Sequence, residues 1–222
     1  NILTIGFAGR MKLTADSSLQ KKINVVLEDV IKKTNIEKDK FVLGGFSAGG
    51  VIALRYAELC HQFPEKFPIK PKGVFMADSP VDLYHSWKLQ EEHLKNKYSE
   101  ISVNEAYWLK RYYKEFYGAT PSENPDLYRD LSPFSMNEEY GKNERYLKDV
   151  AVRAYHDIDI AWRLKNRNQT AKFDNYVATS ELINRLMLMG NTKAEFVQTF
   201  KTGYRQDGQR HPHSWSIVDE EE

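Results

Sequence analysis

Ser47 is the residue best placed to act as a nucleophile, because it lies at the centre of a G-x-S-x-G pattern over residues 45–49. The apolar run at residues 41–43 predicts a strand before the pattern, and residues 51–57 predict a helix after it. A serine at such a strand-to-helix turn is held in a strained backbone conformation that exposes its hydroxyl. The spacing therefore predicts a serine nucleophile for acyl-transfer chemistry.

Glycines flank the serine on both sides. Small residues allow the strand and the helix behind the serine to approach each other closely, and we expect Gly45, Gly49 and Gly50 to supply that room. The alternative interpretation is an ordinary glycine-rich turn.

A histidine base is expected close to the C-terminus. A serine hydroxyl is a weak nucleophile at neutral pH and needs a base that is itself oriented by an acid. His213 is the predicted base, since it follows the last predicted strand by a long loop and precedes the apolar residues 215–218. His211 is the alternative, with Pro212 stiffening the backbone between the two histidines. As an H-x-H metal pair they lack an accompanying set of cysteines or carboxylates.

Three aspartates follow predicted strands and are candidates for the acid. Asp159 is preferred, because a turn of a few residues after a strand ending at Tyr155 lets its carboxylate point back toward His213. Asp157 is the rival, with a turn-capping role as its alternative. Asp78 is a third candidate, and its expected role is in the turn formed by residues 78–80.

Composition places the chain among single-domain globular proteins. The 222 residues include 41% hydrophobic residues, and 32 Lys and Arg balance 31 Asp and Glu to a net charge of +1. This charge balance gives no field that attracts nucleic acid or an anionic membrane, and the longest apolar runs fall far short of the roughly 20 residues of a membrane span. A small-molecule substrate is expected, with no nucleic-acid partner. Cys60, the single cysteine, is expected to be a small buried hydrophobic residue.

Strands and helices alternate along most of the chain, which predicts an α/β fold with a mostly parallel sheet covered by helices on both faces. Residues 1–80 and 148–222 form the predicted core, and residues 81–147, where the alternation stops, form a predicted helical cap. The strands are expected at residues 2–7, 41–46, 72–78, 149–155 and 194–200, and the core helices at residues 19–33, 49–62 and 173–189.

The predicted cap is rich in aromatic residues. Packing against the sheet is the favoured role for them, and lining an apolar acyl or aryl pocket is the alternative. These residues are Trp87, Tyr107, Trp108, Tyr112, Tyr113, Phe116 and Tyr117.

The chain order Ser47, Asp159, His213 is the order of catalytic residues in α/β-hydrolases. The strand-to-helix turn at Ser47, which is called the nucleophile elbow in this family, is one point of resemblance. With the alternation of strands and helices and the helical cap inserted at residues 81–147, the chain resembles α/β-hydrolases of the esterase and lipase kind over nearly its whole length. The resemblance implies that Ser47 is the nucleophile, His213 the general base, Asp159 the orienting acid, and the backbone N–H of Ala48 one oxyanion donor. It further implies hydrolysis of a carboxylic ester, or less readily an amide, through an acyl-enzyme, with no metal or organic cofactor.

The family pattern has a second oxyanion donor on a loop after the third strand. Because only one strand and one helix precede the elbow strand, residues 2–7 would be the fourth strand, and that loop is expected upstream of Asn1. The alternative is that Phe7 or Ala8, in the loop of residues 6–10, supplies the N–H. The start at Asn1 suggests a longer precursor, and the absence of a visible signal peptide favours the cytoplasm over export.

Other functions fit the same scaffold. A peptidase or an acyltransferase would share the three catalytic residues and differ in the leaving group or the acceptor. A ligand-binding protein with an inert serine is the alternative outside enzymes, because a fold alone does not fix function. The oligomeric state stays open.

Overall fold

The computed structural model describes residues 3–7, 12–139 and 141–218 of the chain. Its centre is a four-stranded parallel sheet in the order β1-β2-β3-β4. Each strand is reached from the one before it by a helical connection, as parallel pairing requires. The strands are β1 (Val42–Phe46), β2 (Gly73–Ala77), β3 (Ala151–Asp157) and β4 (Ala194–Thr199).

The helices of the core surround this sheet on one face and at its carboxyl edge. They are α1 (Ser17–Thr34), α2 (Ala48–Gln62), α6 (Ile160–Arg167) and α7 (Tyr176–Leu188). Helices α2 and α7 bury Leu54 and Leu182 against Met76 and Val152 of the sheet. Helix α1 packs against the outer side of α2, where it covers Tyr56 and the buried, unpaired Cys60.

The opposite face of the sheet differs from the expectation of helices on both faces. In the described part of the chain, Tyr155 and Ala77 on this face pack against Ile217 in a short 3₁₀ turn, not against an α-helix. The two faces alternate along each strand because successive side chains of a strand point in opposite directions. The α/β class is confirmed, with this difference in how the sheet is covered.

Residues 81–147 connect β2 to β3 and contain three helices, which are α3 (Leu83–Asn96), α4 (Glu100–Tyr117) and α5 (Pro125–Leu131). We call residues 81–147 the inserted segment. Its aromatic side chains divide into two groups. Trp87, Tyr112, Tyr113 and Tyr128 form a buried cluster, with Tyr117 partly buried against it. Among the residues that the structure describes, no strand residue belongs to this cluster, so these side chains pack among the helices of the segment and not, as expected, against the sheet. The side chains of Tyr107, Trp108 and Phe116 are exposed.

Several element boundaries depart from the sequence-based prediction. Residues 3–7 have no regular secondary structure, so the strand expected at residues 2–7 is wrong for this stretch. Helix α6 was not expected, and β3 extends to Asp157 instead of ending at Tyr155. Among the described residues, no helix is both long enough and apolar enough to span a bilayer.

Candidate active site

Ser47 joins the end of β1 to the start of α2 in a strained conformation. Its φ is 54° and its ψ is −124°, values that a non-glycine residue rarely adopts. The backbone N–H of Ser47 donates to the Ala77 carbonyl oxygen over 2.9 Å, which ties this turn to the adjacent strand β2. The strand-to-helix turn expected for a serine nucleophile is therefore present.

The glycines around Ser47 are not equivalent. A Cβ atom on Gly45 would overlap the Gly49 backbone, and one on Gly50 would overlap the Ser79 hydroxyl, so both positions require glycine. A Cβ on Gly49 would meet no atom within 4 Å. The close approach of strand and helix thus depends on Gly45 and Gly50. The expectation that Gly49 is also needed for this approach is wrong, because a side chain at position 49 would have room.

His213 lies beside the elbow and contacts a buried carboxylate. Its Nδ1 atom is 2.6 Å from Oδ2 of Asp78, and its ring centroid is 4.5 Å from that of Phe46, the residue before Ser47. Since Nδ1 donates to the carboxylate, Nε2 of the neutral ring is left as a proton acceptor. Ser47 and His213 line the same cavity, whose volume is about 250 Å³.

Asp78 follows β2 directly, and hydrogen bonds fix both its backbone and its side chain. Its backbone lies in the left-handed region with φ of 44°, which aspartate tolerates better than most residues. Its N–H donates to the Tyr155 carbonyl over 2.9 Å, and Asn175 Nδ2 donates to both its carbonyl and its Oδ1 over 3.0 and 3.1 Å. The turn role expected for Asp78 is thus combined with a contact to His213 that was not expected.

The charge on Asp78 is supported by two imidazoles. His156 Nδ1 lies 3.2 Å from Oδ1, on the oxygen that His213 does not contact. Burial raises the pKa of the Asp78 carboxyl, but the charge and hydrogen bonds of His213 and His156 outweigh it and hold that pKa well below 3.8. The carboxylate is therefore ionised at neutral pH.

Asp159 and Asp157, the two expected acids, lie elsewhere in the site. Asp159 caps the N-terminus of α6 by accepting from the Trp162 N–H over 2.9 Å, and its Oδ2 pairs with Arg210 over 3.0 Å. Asp157 accepts from the backbone N–H of Gly203 over 2.7 Å and also pairs with Arg210. The expected contact of Asp159 with His213 is replaced by that of Asp78.

Both carboxylates therefore hold the loop that carries His213. Arg210, three residues before His213, bridges the two carboxylates and donates to the Gly203 carbonyl over 2.9 Å. The sequence analysis did not identify Arg210, nor did it identify Asn175 and His156, which contact Asp78. The signal for Asp78 was its place directly after a buried strand beside the elbow strand.

His211, the alternative base, has a different arrangement. Arg167, which can only donate, lies 3.4 Å from its Nε2, so Nδ1 donates to the His213 carbonyl over 3.1 Å. Burial, followed by the charge of Arg205, lowers the pKa of His211 from 6.5 to about 4. His211 is therefore neutral, and its hydrogen bond to the His213 carbonyl helps to fix the backbone of His213.

The described residues at the Ser47 turn offer one of the two backbone N–H donors expected for an oxyanion. Ala48 is the first residue of α2, so its N–H has no acceptor within the helix. Phe7 is exposed and is not among the residues lining the cavity, and Ala8 lies outside the described residues. The prediction of a second donor therefore stays open.

The inserted segment supplies one wall of the cavity. Helix α3 contributes Gln90 and His93, α4 contributes Trp108, and Arg163 of α6 also lines the cavity. Within the described ranges, no group of three His, Cys, Asp or Glu side chains is arranged to hold a metal ion. The expectation of chemistry without a cofactor stays a prediction.

Ser47, His213 and Asp78 all line one cavity at the carboxyl edge of β1 and β2, where His213 contacts Asp78. In open parallel sheets ligands bind at this edge. Comparisons with protein-family models, with curated proteins and with solved structures find no match to the chain.

Proposed function

We propose that the protein is a serine hydrolase that cleaves carboxylic esters through an acyl-enzyme, with Ser47 as nucleophile, His213 as base and Asp78 as orienting acid. The observation that carries the proposal is the 2.6 Å contact of His213 with Asp78 beside the strained turn of Ser47. A histidine bound in this way presents its free nitrogen to the cavity that Ser47 lines.

The reaction begins when Ser47 Oγ attacks the ester carbonyl and His213 Nε2 takes the hydroxyl proton. The ionised Asp78 stabilises the imidazolium that forms, and the Ala48 N–H stabilises the negative oxygen of the tetrahedral intermediate. The C–O bond to the alcohol then breaks as the imidazolium gives its proton to the leaving oxygen. Water, deprotonated by the same nitrogen, attacks the acyl-enzyme and releases the carboxylic acid and free Ser47.

Esters are favoured over amides as substrates. An alcohol and an amine each take one proton from His213 on leaving, but the amine is the poorer leaving group, so cleavage of an amide requires more stabilisation of the oxyanion. In the described residues that stabilisation comes from the Ala48 N–H. Losing one oxyanion donor typically costs about 2.7–4 kcal/mol of transition-state stabilisation.

Labelling with a fluorophosphonate tests the proposal. We expect the probe to attach to Ser47, as identified by peptide mass spectrometry, and short p-nitrophenyl esters to be hydrolysed. Ser47→Ala should remove the label and reduce turnover by about 10⁶-fold, whereas Ser180→Ala on α7 should leave both unchanged. Failure of the wild-type protein to take the label would favour a ligand-binding protein with an inert serine.

A further inference from the structure

One wall of the cavity presents polar side chains where an acyl pocket would have apolar ones. Ser86, Gln90 and His93 recur at i, i+4 and i+7 along α3 and line the cavity that contains Ser47. Each of the three has 8% of its surface exposed. Ligand pockets combine apolar walls with a few placed polar groups that fix orientation, and this row is such a set.

Most polar groups along this wall have partners inside the protein. Gln169 Nε2 is 3.0 Å from His93 Nδ1 and 2.7 Å from the Ser102 hydroxyl. The Oε1 atom of Gln169 accepts from Arg163 Nη1 over 3.1 Å. One buried amide thus satisfies its neighbours on α3, α4 and α6, and these groups need no ligand.

Gln90 differs from these neighbours. Its Oε1 atom is buried and has no hydrogen-bond partner among the described residues, and the same is true of Nε2 of His85, one further residue of α3 that lines the cavity. A buried acceptor without a donor destabilises the folded state, and native proteins retain few of them. A partner from outside the chain explains why these two groups are kept in the wall.

We propose that Gln90 binds a hydroxyl group of the substrate, so that the site prefers hydroxylated esters to their unsubstituted counterparts. A carbonyl oxygen only accepts, so the complementary group is a hydrogen-bond donor, and a hydroxyl is the donor that we assign to the substrate. His85 Nε2 is a second unpartnered polar atom of a residue that lines the same cavity. A site that hydrogen-bonds a substrate hydroxyl rejects the analogue without it, because the groups of the site are then left unpaired. The inference rests on the proposed function, since it assigns the substrate class of the Ser47 site.

Two matched pairs of esters test the preference on either side of the scissile bond. The acyl pair is p-nitrophenyl 3-hydroxybutyrate and p-nitrophenyl butyrate, and the alcohol pair is glycerol monoacetate and propyl acetate. We expect kcat/KM to favour the hydroxylated member by about tenfold or more in at least one pair. Gln90→Met should bring that ratio close to one.

Gln62→Met is the matched control. Gln62 also has a buried Oε1 without a partner among the described residues, but it lies at the end of α2 and does not line the cavity. This variant should keep the wild-type ratio. Ratios close to one in both pairs for the wild-type protein, or a ratio unchanged by Gln90→Met, would overturn the proposal.

Binding to Ser47→Ala separates this inference from the chemistry. Calorimetric titration of this variant with the two pairs should give tighter binding of the hydroxylated member in the pair that shows the preference. If the wild-type protein neither takes the fluorophosphonate label nor hydrolyses any ester, the proposed function fails, and the titration still decides the role of Gln90. Equal affinities within both pairs contradict that role.

Discussion

His156 Nδ1 lies 3.2 Å from Oδ1 of Asp78, so the carboxylate is enclosed between this buried imidazole and that of His213 on its other oxygen. Asn175 donates to Oδ1 from a third direction. A carboxylate with these contacts has one orientation available to it. Its position relative to the base is therefore set before a substrate binds, which is the preorganisation that an orienting acid requires.

Asp78→Asn should reduce kcat for p-nitrophenyl esters by about 10⁴-fold, because an amide no longer fixes the reactive tautomer of His213. Steady-state kinetics measures this effect. A thermal melt shows whether the variant folds, and the rate of fluorophosphonate labelling should fall with kcat.

Asp159→Asn is the matched control for that change. Asparagine is as good an N-cap as aspartate, so α6 keeps its first turn, and the buried pair with Arg210 is weakened. We expect a loss of stability with kcat within about threefold of the wild-type value. A fall in kcat for Asp159→Asn as large as that for Asp78→Asn would contradict the assignment of the acid.

Gly45→Ala should destabilise the protein by about 3 kcal/mol or more, since the added methyl group would overlap the Gly49 backbone and force the strand and helix apart. Gly49→Ala is the control, because its methyl group meets open space and alanine favours the helix by up to about 1 kcal/mol. Urea denaturation measures both. Equal stabilities of the two variants would refute this account of the elbow.

Arg210→Gln should destabilise the protein by about 3–5 kcal/mol, because it leaves the buried carboxylates of Asp157 and Asp159 without their shared cation. The loop to His213 loses its anchor at the same time, so we expect kcat to fall by about 10²-fold. Arg205→Gln, on the exposed part of the same loop, should change stability by no more than about 0.5 kcal/mol. Chemical denaturation and kinetics on the two variants decide the point.

The stability of the protein should fall as the pH is lowered from 6.5 toward 4. Burial, and then the charge of Arg163, lowers the pKa of His93 from 6.5 to about 4. In this window the unfolded chain binds a proton at His93 that the folded protein does not, so the contribution is complete above pH 6.5 and is lost by about pH 4.

His93→Gln removes this titration. Relative to the variant, the wild-type protein should lose about 2 kcal/mol of unfolding free energy between pH 7.5 and pH 5. Urea unfolding at the two pH values measures the difference, to which His211 contributes equally in both proteins. Parallel pH profiles for the two proteins would show that folding does not shift the pKa of His93.

The elbow was predictable from local sequence because its requirements are local. An apolar strand, small flanking residues and a helix-forming run determine the turn at Ser47, and the predicted strands β1 to β4 lie within two residues of their observed ends. The histidine proposed as base could be selected for a similar reason, because only His211 and His213 follow the last strand.

The aspartate that contacts His213 was not predictable in the same way, because three aspartates are candidates from the sequence and only contacts between distant residues distinguish them. The two-residue extension of β3 places Asp157 within the strand, and Arg210, 51 residues after Asp159 in the chain, pairs with both carboxylates. The contact that selects Asp78 spans 135 residues. The spacing of residues along the sequence does not predict a contact between residues so far apart in the chain.

Strand β1 has a paired neighbour on one side only in the described part of the chain, and Val42 at its start is 65% exposed. Ser47 thus follows the end of an edge strand, which is hydrogen-bonded to the sheet along one side only among the described residues. If β1 separates from β2 while α7 and β4 stay folded, Ser47 moves away from His213. Mild heating should therefore abolish the proposed ester hydrolysis at a temperature below the one at which the far-UV circular dichroism signal is lost.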